Sequence, residues 1–253
     1  MFFFALFGMM GQAIGEDNFG IGGRELAQLV RNRENGDDFL GQGKMELIDK
    51  NNNRRERSFV LYRKDQGDLS QQVLRFAAPA DIAGTAFLSV ELGKGETEQF
   101  LYLPVLKRTR RIVSSQKGHS FVNTDFTYED MERRDVDLWD HKVVAVEKIG
   151  QAVCFVLESV PKKMTKTEYS LIKSWVIKDI NVPVKVDYFD KKNRLFKEYR
   201  VNNIENVQGV WTEMAVSMFD VINSHRTVMK NEKVVYNSGL ADELFTERNL
   251  ERW

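Results

Sequence analysis

One cysteine, four prolines and three histidines in 253 residues exclude several kinds of chemistry at the outset. A single thiol forms no internal disulfide and no Cys-rich metal framework, so packing must hold the chain together. Cys154 lies in the apolar run AVCFVLESV with no basic neighbour to lower its pKa, and reads as a small buried hydrophobe. His119, His141 and His225 are far apart and show no H-x-x-H or H-E-x-x-H spacing, which argues against zinc. A Walker loop and G-x-G-x-x-G are both missing, which sets nucleotide chemistry aside. No metal and no cofactor is expected. Excess charge is absent too: 37 basic residues face 37 acidic ones, so attraction to a membrane or nucleic acid has to be local.

The start, MFFFALFGMMGQAIGED, is an apolar run too short to span a bilayer as a mature helix, followed by small residues and acids. It resembles a signal peptide ending near Gly15, although the charged n-region is missing; a buried N-terminal strand is the alternative. The cleavage region has no cysteine to carry a lipid anchor. We expect residues 1–15 to be a signal peptide and 16–253 to form one exported, soluble domain.

After Gly20, Gly22 and Gly23, the stretch RELAQLVRNRENG places Leu26, Leu29 and Val30 on one helical stripe, with Gly36 as a stop. From Gly43 the period changes to 2. GKMELID, RERSFVLYRK and LSQQVLRFAAP form a meander, and two apolar strands flank Gly93-Lys94-Gly95. Alternation resumes in KVVAVEK and AVCFVLESV across Gly150-Gln151. It continues through SLIKSWVIKD, VPVKVDYFD, LFKEYRVNNIENV, VWTEMAVSMFDV and RTVMKNEKVVYN, with DKKN, VQG and KNE as turns. LADELFTERNLERW, acidic in its first turn, reads as a closing helix. The expectation is a mainly β fold of roughly ten or eleven antiparallel strands with a helix at each end. So wide a twisted sheet must close, split into a sandwich or curl around its helices.

Some strands are apolar on both faces. In FLYLPVL, Phe100 and Tyr102 point one way and Leu101 and Leu103 the other, so both sides need a cover. Terminal helices would cover one side and a bound apolar ligand or partner the other; a sandwich with a partly apolar outer face is the plainer alternative.

Reactive constellations are incomplete. Asp125, Glu129, Asp130 and Glu132 could pair as acid and base or hold a hard cation, but their spacing is not that of an EF-hand, and they read as a solvated turn pairing with Arg133 and Arg134. His119-Ser120 lacks the G-x-S-x-G context of a nucleophile. Lys107, Arg108, Arg110, Arg111 and Lys117 concentrate positive charge, suited to a lipid headgroup, to phosphate or to an acidic partner, or simply to protecting a sheet edge.

Three ordered blocks, LRFAAPADIAGTAFLSVE, FLYLPVLKRTRRI and GHSFVNTDFTYEDM, between about Leu74 and Met131, resemble the outer-membrane lipoprotein-sorting proteins, relatives of the periplasmic lipoprotein carrier LolA. The resemblance implies a half-open, unclosed antiparallel β-barrel whose concave side is closed by helices and opens to accept acyl chains. It implies a non-catalytic periplasmic protein that shuttles a lipid or lipidated protein toward the outer membrane, with an inner-membrane exporter as a further partner. We expect a monomer in transient contact with membrane, and no nucleic acid as partner. Individual ligand contacts do not transfer, because the chain departs from the better-studied carriers outside these blocks. Phe76, Phe87, Leu101, Leu103, Trp175 and Trp211 are the candidates for lining an apolar cavity, and Arg108 and Arg110 for contacting a headgroup or partner. The alternative is a non-carrier envelope module docking on an exporter complex through the edge near Lys107 to Arg111.

Overall fold

Residues 19–252 are described by a computed structural model, so the expected signal peptide at 1–15 lies outside the described residues. The alternating stretches pair into one antiparallel sheet in two meanders. The first comprises β1 (Asp38–Ile48), β2 (Arg54–Gln66), β3 (Leu69–Ala78), β4 (Ala86–Gly93), β5 (Glu96–Leu103) and β6 (Arg108–Arg111). The second comprises β7 (Trp139–Ile149), β8 (Ala152–Pro161), β9 (Tyr169–Ile177), β10 (Pro183–Asp190), β11 (Leu195–Val207), β12 (Val210–Asp220) and β13 (His225–Tyr236). Pairing of β1 with β13 joins them, giving the order β6-β5-β4-β3-β2-β1-β13-β12-β11-β10-β9-β8-β7. Thirteen strands exceed the ten or eleven expected, because the basic segment Arg108–Arg111 is itself a strand and every alternating stretch pairs.

A sheet this wide coils under its own twist. Its edges β6 and β7 do not pair, so the barrel stays half-open. They do come round toward each other: a Cβ on Gly95, in the β4–β5 turn, would lie 2.4 Å from Leu138 at the start of β7. Residues 112–138 bridge this gap from inside.

KNE is not a turn. The chain runs straight through it in β13, and the register against β1 slips between Gln42 and Gly43, leaving Glu232 as the extra residue of a β-bulge. Glycine is required opposite, since a Cβ on Gly43 would meet the Lys230 carbonyl oxygen at 2.0 Å.

Helix α1 (Gly23–Arg31) ends well before Gly36; the N–H of Asn32 closes it on the Gln28 carbonyl at 2.9 Å. Its buried stripe is Gly23, Leu26 and Ala27 with Val30, an i, i+3, i+4, i+7 set, and Leu29 falls off it at 40% exposure. That stripe packs on Val143, Phe155, Leu157 and Val176, closing the concave side over β7 and β8. The C-terminal segment is a 3-10 turn (Asp242–Phe245) and one helical turn, α2 (Glu247–Leu250), not a full closing helix. It covers the convex face, where Phe245 and Leu250 pack with Val73, Ala86 and Leu88. Buried Arg75 donates to the Leu250 carbonyl at 3.2 Å and to that of Asn249, satisfying carbonyls the helix end leaves open.

Candidate functional site

Two faces of β5 needed covers, and the chain supplies both. Phe100 and Tyr102 lie under the C-terminal segment, and Leu101 and Leu103 under residues 112–131, which fold into the concave side as a plug. Phe121 is its centre. Its ring meets Phe87 edge-on at 4.9 Å and Tyr128 at 5.6 Å, with Phe76 at 6.3 Å.

Backbone groups that a non-regular segment carries into a core need partners, and side chains of the sheet provide them. Gln99 donates to the Tyr128 carbonyl at 2.8 Å, Arg57 to that of Val122 at 2.7 Å, and Gln72 to that of Met131 at 2.5 Å. The plug's acids complete the attachment. Asp125 accepts from the Thr227 hydroxyl at 2.6 Å and bonds His225 at 2.9 Å, and Glu129 accepts from the Glu168 N–H at 3.0 Å; Glu132, just past the plug, pairs back with Lys117 inside it at 2.6 Å. These carboxylates are structural anchors, not the solvated turn expected.

Asp130 is the most deeply committed. It pairs with Lys197 of β11, and both side chains are 2% exposed. It also accepts from the Tyr169 hydroxyl at 2.7 Å and the Thr127 N–H at 2.8 Å, while the rings of Tyr169 and Tyr188 flank the ammonium. Burial pushes the carboxyl up, but Lys197, with Arg134 and the tyrosine hydroxyl, outweighs it and holds the group below the usual carboxylate range. Burial pushes the neighbouring Tyr188 phenol up to about 12, against the pull of Arg134.

Beyond the plug the concave side is not filled. A hollow of about 570 Å³ remains, with Phe59, Leu61, Ile172, Val186, Met218 and Met229 among the side chains of its wall. One margin is polar, where α1 faces the plug's end and β2–β4. There Arg31 and Arg133 converge on Glu91, at 3.3 Å and 2.9 Å, and Arg63 pairs with Asp65 at 2.9 Å. His141 and Ser159, opposite each other on β7 and β8, hydrogen bond at 2.8 Å in the wall, and the other ring nitrogen bonds the Val136 carbonyl at 3.1 Å. Burial holds this imidazole below its ordinary pKa. Among the described residues no group of three or more His, Cys, Asp or Glu is placed to hold a metal.

Of the cavity candidates, Phe76, Phe87 and Leu101 are buried beneath the plug, and half-buried Leu103 packs against the same cluster. None of the four is in the wall of the hollow. Trp175 faces the convex side with Cys154 and Val156, its indole N–H donating to Glu147 at 2.7 Å. Trp211 is 42% exposed at the margin of the hollow. Arg108 and Arg110 are exposed on the edge strand β6. The wall residues were missed because they are alternate positions of ordinary strands; the signal for the plug was present, in the aromatics of GHSFVNTDFTYEDM.

A half-open antiparallel sheet with a hollow on its concave side defines the class. A family model described as an uncharacterized protein matches residues 68–252. A solved structure of a DUF1329 family protein from Desulfovibrio piger is 29% identical, with a TM-score of 0.85 over 90% of this chain and 97% of that one. An outer membrane lipoprotein-sorting protein domain from Vibrio parahaemolyticus is 28% identical, with a TM-score of 0.86 over 91% and 98%. A LolA superfamily protein from Nitrosomonas europaea, 17% identical with a TM-score of 0.69 over 90% and 98%, shares the fold. The comparison with curated proteins found no match. The chain belongs to this DUF1329-like family, related to the lipoprotein-sorting proteins and LolA-like in fold.

Proposed function

We propose that the protein is a non-catalytic periplasmic carrier that holds acyl chains of a lipid or lipoprotein in the hollow and shuttles them toward the outer membrane. The observation that carries this reading is the preformed, largely apolar space of about 570 Å³, within the roughly 300–1,000 Å³ of small-molecule sites. Each methylene moved from water into such a space contributes about 0.8 kcal/mol, so an acyl chain binds usefully without a polar anchor. The arginines at the margin are already paired with Glu91 and Asp65, which leaves apolar contact as the main source of affinity. An inner-membrane exporter is the proposed partner, as the lipoprotein-sorting resemblance suggests.

The experiment is mass spectrometry of an organic extract of the protein purified natively from periplasm, beside an unrelated periplasmic control. Stoichiometric lipid or lipopeptide in the protein sample alone supports the carrier and identifies its cargo class. A clean extract, together with no uptake of a fluorescent fatty acid, overturns it.

A second reading is an envelope module that docks on an exporter complex without carrying cargo. It is favoured by one observation: the chain itself covers the apolar faces that would otherwise call for a ligand. Reversing Arg108 and Arg110 to Glu would then abolish complex formation, and the organic extract would be clean before and after the change.

A further inference from the structure

The turn between β5 and β6 presents a combination found in neither the core nor the hollow. Val105 is 89% exposed and Leu106 54% exposed, side by side in the single 3-10 turn Pro104–Leu106. One exposed aliphatic is ordinary; two adjacent ones at a projecting tip, packed in none of the apolar clusters of the described residues, are not. The tip cannot fold them back. Lys107 sits in the left-handed region at φ 46° and its N–H closes the turn on the Pro104 carbonyl at 3.0 Å. Leu103 pairs with Arg108 behind it, and Pro104 lies close against Gly84, where a Cβ would be 3.0 Å from its ring.

Directly behind the aliphatic tip come Lys107, Arg108, Arg110 and Arg111. Because β6 is the edge of the sheet, cations on both of its faces reach solvent. Arg111 pairs with Glu98 at 2.5 Å, and the charge of Arg110 acts on the Tyr128 phenol. Among the described residues Lys107 and Arg108 have no ion-pair partner. Arg194, in the turn between β10 and β11, is by contrast neutralised within its own turn by Asp190 at 2.7 Å. The zero net charge of the chain therefore conceals a local positive excess at one convex tip.

We propose that this tip is a membrane contact, with Val105 and Leu106 entering the interface of an anionic phospholipid bilayer and Lys107 and Arg108 meeting its headgroups. A stable protein interface needs about 800 Å² from each partner, far more than two side chains on a convex turn offer. A bilayer accepts a small apolar wedge backed by cations, each adding to the attraction of an anionic surface. The inference does not depend on the hollow carrying a ligand.

The test is co-sedimentation of the full chain with vesicles of phosphatidylcholine alone and of phosphatidylcholine mixed with phosphatidylglycerol. The protein should pellet with the anionic vesicles, less so as salt rises. Val105→Asp with Leu106→Asp, and separately Lys107→Glu with Arg108→Glu, should each lower the bound fraction about tenfold or more. All four side chains are exposed, so the thermal melt should not move. No pelleting of the parent with anionic vesicles at low salt overturns the proposal. Equal pelleting of parent and Val105→Asp/Leu106→Asp overturns it as well, and leaves a purely electrostatic contact.

Discussion

The two ends of the concave face begin alike and finish differently. At one end Met45, Leu47, Leu74, Phe76 and Phe87 are sealed by Phe121 and Tyr128 of the plug; further along the same strands, Phe39, Leu61, Gln72 and Ser89 border open space. Strand parity is the same at both ends, so parity does not decide which is filled. The filled end is where the chain returns across the gap between β6 and β7, and the open end is what that crossing leaves uncovered. An apolar concave face is therefore not in itself evidence of a ligand; only its uncovered part is.

Breaking the plug's anchor should show the largest effect. Asp130→Asn leaves Lys197 charged and buried without its counterion, and should cost about 3–5 kcal/mol in urea unfolding. Asp130→Asn with Lys197→Met should cost clearly less; equal costs would mean that the pair does not hold the plug. Phe121→Ala should cost about 3–5 kcal/mol, whereas Met229→Trp, placed where space exists, should shift stability by about 1 kcal/mol while cutting uptake of a fluorescent fatty acid. If both variants lose stability alike, the two ends are not different in kind. Gly43→Ala should cost about 1–3 kcal/mol through the bulge shared by β1 and β13, with no effect on probe uptake per folded molecule.

The smallest effect is a pH dependence from the open end. Burial lowers the folded pKa of His141, so below about pH 6.5 the unfolded chain takes up a proton that the native state refuses. Stability should fall as pH drops from about 6.5 toward the lowered folded value. His141→Gln should flatten that slope in unfolding curves taken across the window. Asp130 acts lower: its depressed carboxyl adds stability above the unfolded value near 3.9, lost as acid protonates it in the folded state. The two contributions separate by pH.

Particular residues show how far the sequence could be read. Alternation in β2 or β12 needed no tertiary help, because period 2 is the geometry of a strand half covered by its own sheet's core. KNE in β13 failed because Asn and Lys tolerate a turn and a bulge equally, and only Gly43, far away in the chain, admits the extra residue. Trp175 and Val176 must face opposite sides, yet AVCFVLESV is apolar on both, so parity alone could not say which side is the hollow. Asp130 looked solvated because its counterion lies 67 residues further on, in β11.

By itself the sequence determined an antiparallel, strand-rich chain without disulfides, with a helix where Leu26 and Val30 share a stripe, and with a set of motifs that point to the lipoprotein-sorting proteins. The first two follow from local periodicity and composition, which act within a few residues; the last is a resemblance carried by three short blocks. Tertiary structure decided that thirteen strands form one unclosed sheet, that residues 112–131 fill part of its concave face, and that the hollow lies beyond them. Those outcomes depend on which distant groups meet, and a carboxylate such as Asp130 can be taken into a core only where a partner such as Lys197 is waiting.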